Sequence, residues 1–217
     1  IPAQEFQRLG DFRRSLPDWV QVVDRDNFEV ELSPSVVLYA APCRSRAGQQ
    51  DLALSLPERQ AGDERIRIGL VHGNTFDMEG YQTNFPISQG AASARGLDYL
   101  AIGDFHGFRE VPPGALPPTV YPGAPEPTSF GEKQAGQVAV VLMTRNRRAR
   151  IEPRRVSTWT WEEVTCQSLA ELRSLRDGPD RGRHVLRLTV AMKLPAPEYE
   201  EAATIPRLLF LKVLKIR

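Results

Sequence analysis

Apolar residues in this chain fall into short runs broken by turn-forming residues, a pattern that predicts many brief strands and few helices. Residues 19–23, 28–32 and 36–41 read as three strands, separated by Asp24-Arg25-Asp26-Asn27 and Ser33-Pro34-Ser35. A polar, Gly-containing and helix-compatible stretch runs to Glu64, and residues 66–71 then form a strand that ends at His72-Gly73-Asn74. A short helix over 91–96 feeds a strand over 98–102, which ends at Gly103-Asp104-Phe105-His106-Gly107. Pro and Gly crowd residues 111–127, forbidding regular helix and marking a loop around the short run 119–121. Residues 138–143 and 149–157 predict a hairpin across Arg145-Asn146-Arg147-Arg148, and Trp159 and Trp161 share one face of an extended segment. A helix over 168–175 stops at Asp177-Gly178-Pro179, the best candidate boundary, and a strand over 184–194 and a helix over 197–203 follow.

Composition narrows the class. The 217 residues include 28 basic and 27 acidic ones, a formal charge of +1, which excludes a strongly basic nucleic-acid coat and an acidic disordered tail. With 41% hydrophobic and 25% charged residues the chain reads as soluble and globular, one domain or one with a small appendage. Cys43 and Cys166 are too few for a disulfide framework and lack metal spacing, so a reducing compartment, the cytoplasm, is expected. No apolar run approaches the roughly 18 residues of a membrane helix. The chain opens on Ile1 without a signal-peptide pattern, and is expected to be a piece of a longer product.

The chemistry concentrates at two strand ends, Gly69-Leu70-Val71-His72-Gly73 and Ile102-Gly103-Asp104-Phe105-His106-Gly107. Strand termini in helix-covered sheets are where loops gather and ligands bind. Asp104 and His106, two apart, point the same way if the segment is extended. A carboxylate with two imidazoles suits Mn, Fe or Zn, and two of the chain's three histidines occupy these tips. The bland alternative makes Asp104 a turn cap and the histidines ordinary loop residues.

At these residues the chain resembles the calcineurin-like metallophosphoesterases, specifically their DNA-repair exonuclease (SbcD-like) branch. That family carries a His-Gly after one strand, Gly-His-x-His after the next and a Tyr-x-Gly-x-Pro-Glu loop. The counterparts here are His72-Gly73, Gly103-Asp104-Phe105-His106 and Tyr121-Pro122-Gly123-Ala124-Pro125-Glu126-Pro127, with Phe130-Gly131-Glu132 just beyond. The likeness covers residues 17–165 and departs at Asp104, where the family has His. It implies an α/β fold: a metallophosphoesterase-type two-sheet sandwich flanked by helices, present here in part over residues 1–165. A linker helix and the start of a small α+β C-terminal cap would occupy 166–217. It implies metal-dependent phosphodiester hydrolysis, on DNA above all, by two divalent ions, manganese first, with Fe, Zn or Mg as alternatives. His72 and Asp104 would serve one ion and His106 the other, while Asn74, Phe105, Tyr121 and Gly123 would contact substrate. The catalytic Asn-His pair and the other early motifs of the family are absent from this chain. An SbcC-like ATPase is the implied partner, and no membrane is.

Three alternatives stay open. Residues 99–107 also look like the family's opening Asp-x-His motif. The chain could be an incomplete phosphoesterase-like binding or scaffolding module. It could also act on nucleotides or another phosphoester. The arginine cluster Arg145, Arg147, Arg148, Arg150, Arg154 and Arg155 could hold phosphates, although such runs are more often solvated hairpin tips. Phe105 and Phe108 could stack on a base or pack the loop, while Trp159, Trp161 and His184 read as structural.

Overall fold

The computed structural model describes residues 16–75, 84–178 and 183–208. It is a mixed α/β structure built on one six-stranded sheet. β1 (Phe28–Ser33) and β2 (Val36–Ala40) form an antiparallel hairpin over Pro34-Ser35, with an irregular register between Glu31 and Ser33. β2, β3 (Ile66–His72), β6 (Tyr99–Gly103) and β8 (Thr119–Tyr121) run parallel, and β7 (Arg109–Glu110) closes the edge antiparallel to β8. Two smaller pairs precede the C-terminal unit: β4 (Asn74–Thr75) with β5 (Pro86–Ile87), and the hairpin of β9 (Gln137–Met143) with β10 (Ala149–Arg155).

Two hydrophobic cores divide the described residues. The first gathers Val37, Tyr39, Leu52, Leu56, Val71, Leu100, Ile102 and Tyr121 on one face of the large sheet. The second is built by β11 (Thr160–Cys166), helix α2 (Leu169–Asp177), β12 (His184–Val190) and helix α3 (Ala196–Leu208), around Leu172, Leu186, Leu188 and Ile205. β11 and β12 pair in parallel, which requires the crossover that α2 supplies. Ser168 caps α2 by accepting a hydrogen bond from the Glu171 amide, and Glu171 reaches back to accept one from the Gln167 amide. The remaining helix, α1 (Ala91–Ala94), is a single turn.

Two readings of the pattern need correction. Residues 19–23 form no strand, and Trp19 is 83% exposed, because nothing among the described residues pairs with that segment. The stretch before β3 is a series of turns, in which the Asp51 carboxylate accepts from the Ala53 and Leu54 amides. On β3 the buried face carries Arg67, Gly69 and Val71, while Leu70 is exposed.

Arg67 is only 1% exposed, with its guanidinium 4.6 Å from the centre of the Tyr39 ring and a bond to the Pro57 carbonyl. Arg59 ties the neighbouring loop to the sheet. It donates to the carbonyls of Asp63, Arg65 and Gly96 and to Asp98, whose carboxylate also accepts from the Arg67 amide. The Arg59–Asp98 pair is close, at 2.7 Å, and mostly sheltered, with side-chain exposures of 18% and 12%. Removing one partner of such a pair leaves a charge and several carbonyls unsatisfied. Arg59→Ala is therefore expected to lower the unfolding free energy by about 3 kcal/mol, measured by urea denaturation. Arg59→Lys should restore less than half of it, because an ammonium cannot match the planar fork.

Candidate functional site

β3 and β6 are adjacent parallel strands in a register that sets His72 beside Gly103, so both chemistry-bearing tips emerge at the same C-terminal end of the strands. A side chain at Gly103 would bring its Cβ within 3.0 Å of His72 Nδ1, which leaves glycine as the residue that clears the imidazole. One residue on, Asp104 has φ of +118°, a backbone conformation costly for any residue but glycine. That strain is held by two side-chain bonds. His72 Nε2 lies 3.2 Å from Asp104 Oδ1, and Asn74 Nδ2 donates to Asp104 Oδ2 at 2.6 Å. The His72 hydrogen bond is the main influence drawing the Asp104 carboxyl below its ordinary range; burial opposes it, while the His72 charge, the Asn74 bond and the His106 charge add to it.

His106 does not join this pair directly. The turn at Asp104 breaks the extended geometry, so the two side chains find different partners. His106 Nδ1 lies 2.7 Å from Glu132 Oε1 and 3.1 Å from Thr128 Oγ1. Thr128 spends its hydroxyl proton on Glu132 Oε1, its amide on Oε2, and Ser129 donates to the same carboxylate. Burial raises the Glu132 pKa, but the bonds from Thr128, His106 and Ser129 outweigh it and bring the group down to about 2. An ionised carboxylate can only accept, so Nδ1 is the donor in this pair, and Nε2 is the ring nitrogen that Glu132 and Thr128 leave unengaged. A carboxylate behind one imidazole nitrogen is the usual arrangement behind a metal-binding histidine.

The remaining predicted residues divide. Asn74 is buried and holds Asp104. Phe105 packs edge-on against Tyr121, with centroids 5.9 Å apart. Phe105 also lines a cavity of about 490 Å3 with Asp104, His106, Phe130, Glu132 and Lys133. Tyr121 is fully buried; its hydroxyl donates to the Gly73 carbonyl at 2.8 Å and accepts from the Thr75 amide at 3.0 Å. Gly123, with φ of +83°, lets the loop lie against the backbone of His106, whose carbonyl oxygen would be 2.8 Å from a Cβ there. The next residue, Ala124, donates its amide to that same carbonyl.

Among the described residues, no three His, Cys, Asp or Glu side chains converge closely enough to hold a metal ion by themselves. The structure thus assembles His72 with Asp104, and His106 with Glu132, as two neighbouring imidazole–carboxylate pairs. Glu132 and Thr128 carry no local signal of this role, because their partner lies more than twenty residues upstream. Cys43 is a further neighbour, its thiol directed at the His72 carbonyl at 3.8 Å and its pKa pushed up by burial and then by the Asp104 charge. No described helix is long and apolar enough to cross a membrane. Compared with known proteins, the sequence matches no family model and no curated protein.

The burial of Tyr121 separates bracing from substrate contact. Tyr121→Phe strands the Gly73 carbonyl and the Thr75 amide, and is expected to cost about 1–3 kcal/mol in urea unfolding. An unchanged unfolding midpoint would remove the bracing role.

Proposed function

We propose that the chain is part of a metallophosphoesterase that hydrolyses phosphodiester bonds, DNA being the first substrate to test, with two divalent ions, manganese foremost and Fe, Zn or Mg as alternatives. The observation that carries this reading is the 3.2 Å approach of His72 Nε2 to Asp104 Oδ1 at the ends of two adjacent parallel strands. That separation is the one expected of neighbouring ligands around an ion with bonds of about 2.1 Å. A nitrogen donor beside a hard oxygen suits borderline divalent ions.

On this reading His72 and Asp104 hold one ion, and His106 offers Nε2 to the second. Divalent ions supply charge that activates water and stabilises the oxyanions of phosphoryl transfer. The chain's own residues do the rest. Asn74 fixes the Asp104 carboxylate through Oδ2. Glu132 and Thr128 hold the His106 proton on Nδ1. Phe105 and Phe130 give the cavity an apolar wall against which a base or sugar can lie, and Lys133 adds a cation at its rim. The large mixed sheet and the β9–β10 hairpin stand as parts of the two-sheet sandwich of that family, with the second core as the start of its cap. An SbcC-like ATPase is the partner this family placement suggests, and the thiols of Cys43 and Cys166, both unpaired, suit a cytoplasmic setting.

Calorimetric titration with Mn2+ tests the site. Binding is expected in the chain as it stands, and His72→Ala or Asp104→Ala should each weaken it at least tenfold, about 1.4 kcal/mol. Absence of binding in the unaltered chain would replace the hydrolase reading with that of a phosphoesterase-like binding module. Turnover of single-stranded DNA, cyclic dinucleotides and a small phosphodiester then sorts the substrate class.

A further inference from the structure

The loop that holds His106 has a second attachment, on its far side. Phe130, between Thr128 and Glu132, sits with its ring edge-on to Trp161 of β11, centroids 4.8 Å apart and planes at 71°. The guanidinium of Arg187 on β12 lies 4.1 Å from the centre of the same ring. Arg187 is in turn bonded to Glu163 of β11, so its position is set from within the second unit. Two further ties join the same loop to the same segment: the Glu126 carboxylate accepts from the Thr158 amide at 2.6 Å and from the Trp159 amide at 3.1 Å. The Gly136 carbonyl accepts from the amides of Val156 and Ser157.

We propose that Trp161 and Arg187 are positioning residues for His106, acting through Phe130 and Glu132. The physical reason is spacing. Thr128 and Glu132 must approach His106 Nδ1 together, at 3.1 and 2.7 Å, from a loop segment outside any helix or strand. Such a segment has many conformations in which only one of them does so, and fixing it costs about 1–2 kcal/mol per residue in backbone entropy. Phe130 lies at the middle of that segment and is the residue on it that meets aromatic and cationic partners from outside the loop. A ring gripped at its edge by an indole and over its face by a guanidinium is held in both position and rotation. The C-terminal unit therefore sets the orientation of an imidazole that belongs to the first unit's site, and coupling runs Arg187, Phe130, Glu132, His106.

As far as it concerns metal affinity this inference rests on the hydrolase reading, whereas the orientation of His106 does not. The test separates the two. The chain has three histidines, so ring nitrogens of the 15N-labelled protein give three sets of signals, assigned with His72→Ala and His184→Ala. In the metal-free protein at about pH 8.5, above the ordinary imidazole pKa of roughly 6.5, His106 is expected as the Nδ1–H tautomer. Glu132→Gln should shift it toward a mixture. Arg187→Gln, at a half-exposed position of β12, should do the same, and Trp161→Phe, which keeps an aromatic edge against Phe130, should restore most of the original pattern relative to Trp161→Ala. If Mn2+ binds, Arg187→Gln should weaken it roughly tenfold, and the double variant with Glu132→Gln should be no worse than Glu132→Gln alone. Unchanged His106 signals in both Arg187→Gln and Trp161→Ala, with Glu132→Gln altering them, would overturn the proposal. Failure of the unaltered chain to bind Mn2+ would instead remove the hydrolase reading, with the tautomer shift still deciding the clamp.

Discussion

The site depends on one constraint, the parallel register of β3 against β6. Because His72 aligns with Gly103, the residue after the strand, Asp104, is delivered across from the imidazole. A slip of one residue would turn every side chain of β3 to the opposite face and separate the two groups. The register is secured by what lies beneath it. Val71 and Ile102 are aligned and buried, and Gly69 leaves room for Leu97 and Leu100, whose methyl carbons would lie within 2.7 and 2.8 Å of an added Cβ. Beyond the strand ends, Tyr121 of β8 reaches under the same edge to bond the backbone on both sides of Asn74. The residue that holds Asp104 is thus itself held by the third strand.

Much of this frame was legible in the sequence, and the limits have physical causes. The strands before His72 and Asp104 announce themselves as β-branched and apolar runs closed by glycine, and their proximity follows from parallel pairing. The helix after Ser168 is legible because its capping residues are local. Residues 19–23 have the same local character as a strand, but strand formation needs a partner, and none of the described elements provides one. The buried Arg67 could not be read at all: its place in the core depends on Tyr39 and the Pro57 carbonyl, both distant in sequence. Tyr121 was legible as a motif residue but not as a buried one, since a hydroxyl looks equally fit for substrate and for backbone. The partnership of His106 with Glu132 was out of reach for the same reason, because it depends on how a Pro- and Gly-rich loop folds back.

That loop is ordered by its bonds more than by its composition. Its proline and glycine content rules out helix, yet residues 121–136 are pinned to the His106 carbonyl by the Ala124 amide and to Phe108 by the Gln134 carbonyl. On the other side they are pinned to the segment leading into β11. The loop is the tie between the two hydrophobic cores, and the imidazole–carboxylate pair of His106 and Glu132 sits on its inner side. Order in one core is in this way a condition for the geometry beside the other.

The carboxylate at position 104 fits the donors around it. An ionised carboxylate has two oxygens and several lone pairs, and here each oxygen meets one donor, His72 Nε2 on one and Asn74 Nδ2 on the other. A neutral imidazole in the same place has a single acceptor nitrogen, so it could satisfy His72 or Asn74 but not both. It would also bring its own N–H toward a site already supplied with donors. The His72 hydrogen bond leads the influences that hold this carboxyl below its ordinary range, with the Asn74 bond adding to it and burial opposing. Asn74 and Asp104 therefore make a matched pair of residues, in which the amide donor beside β3 suits the acceptor beyond β6.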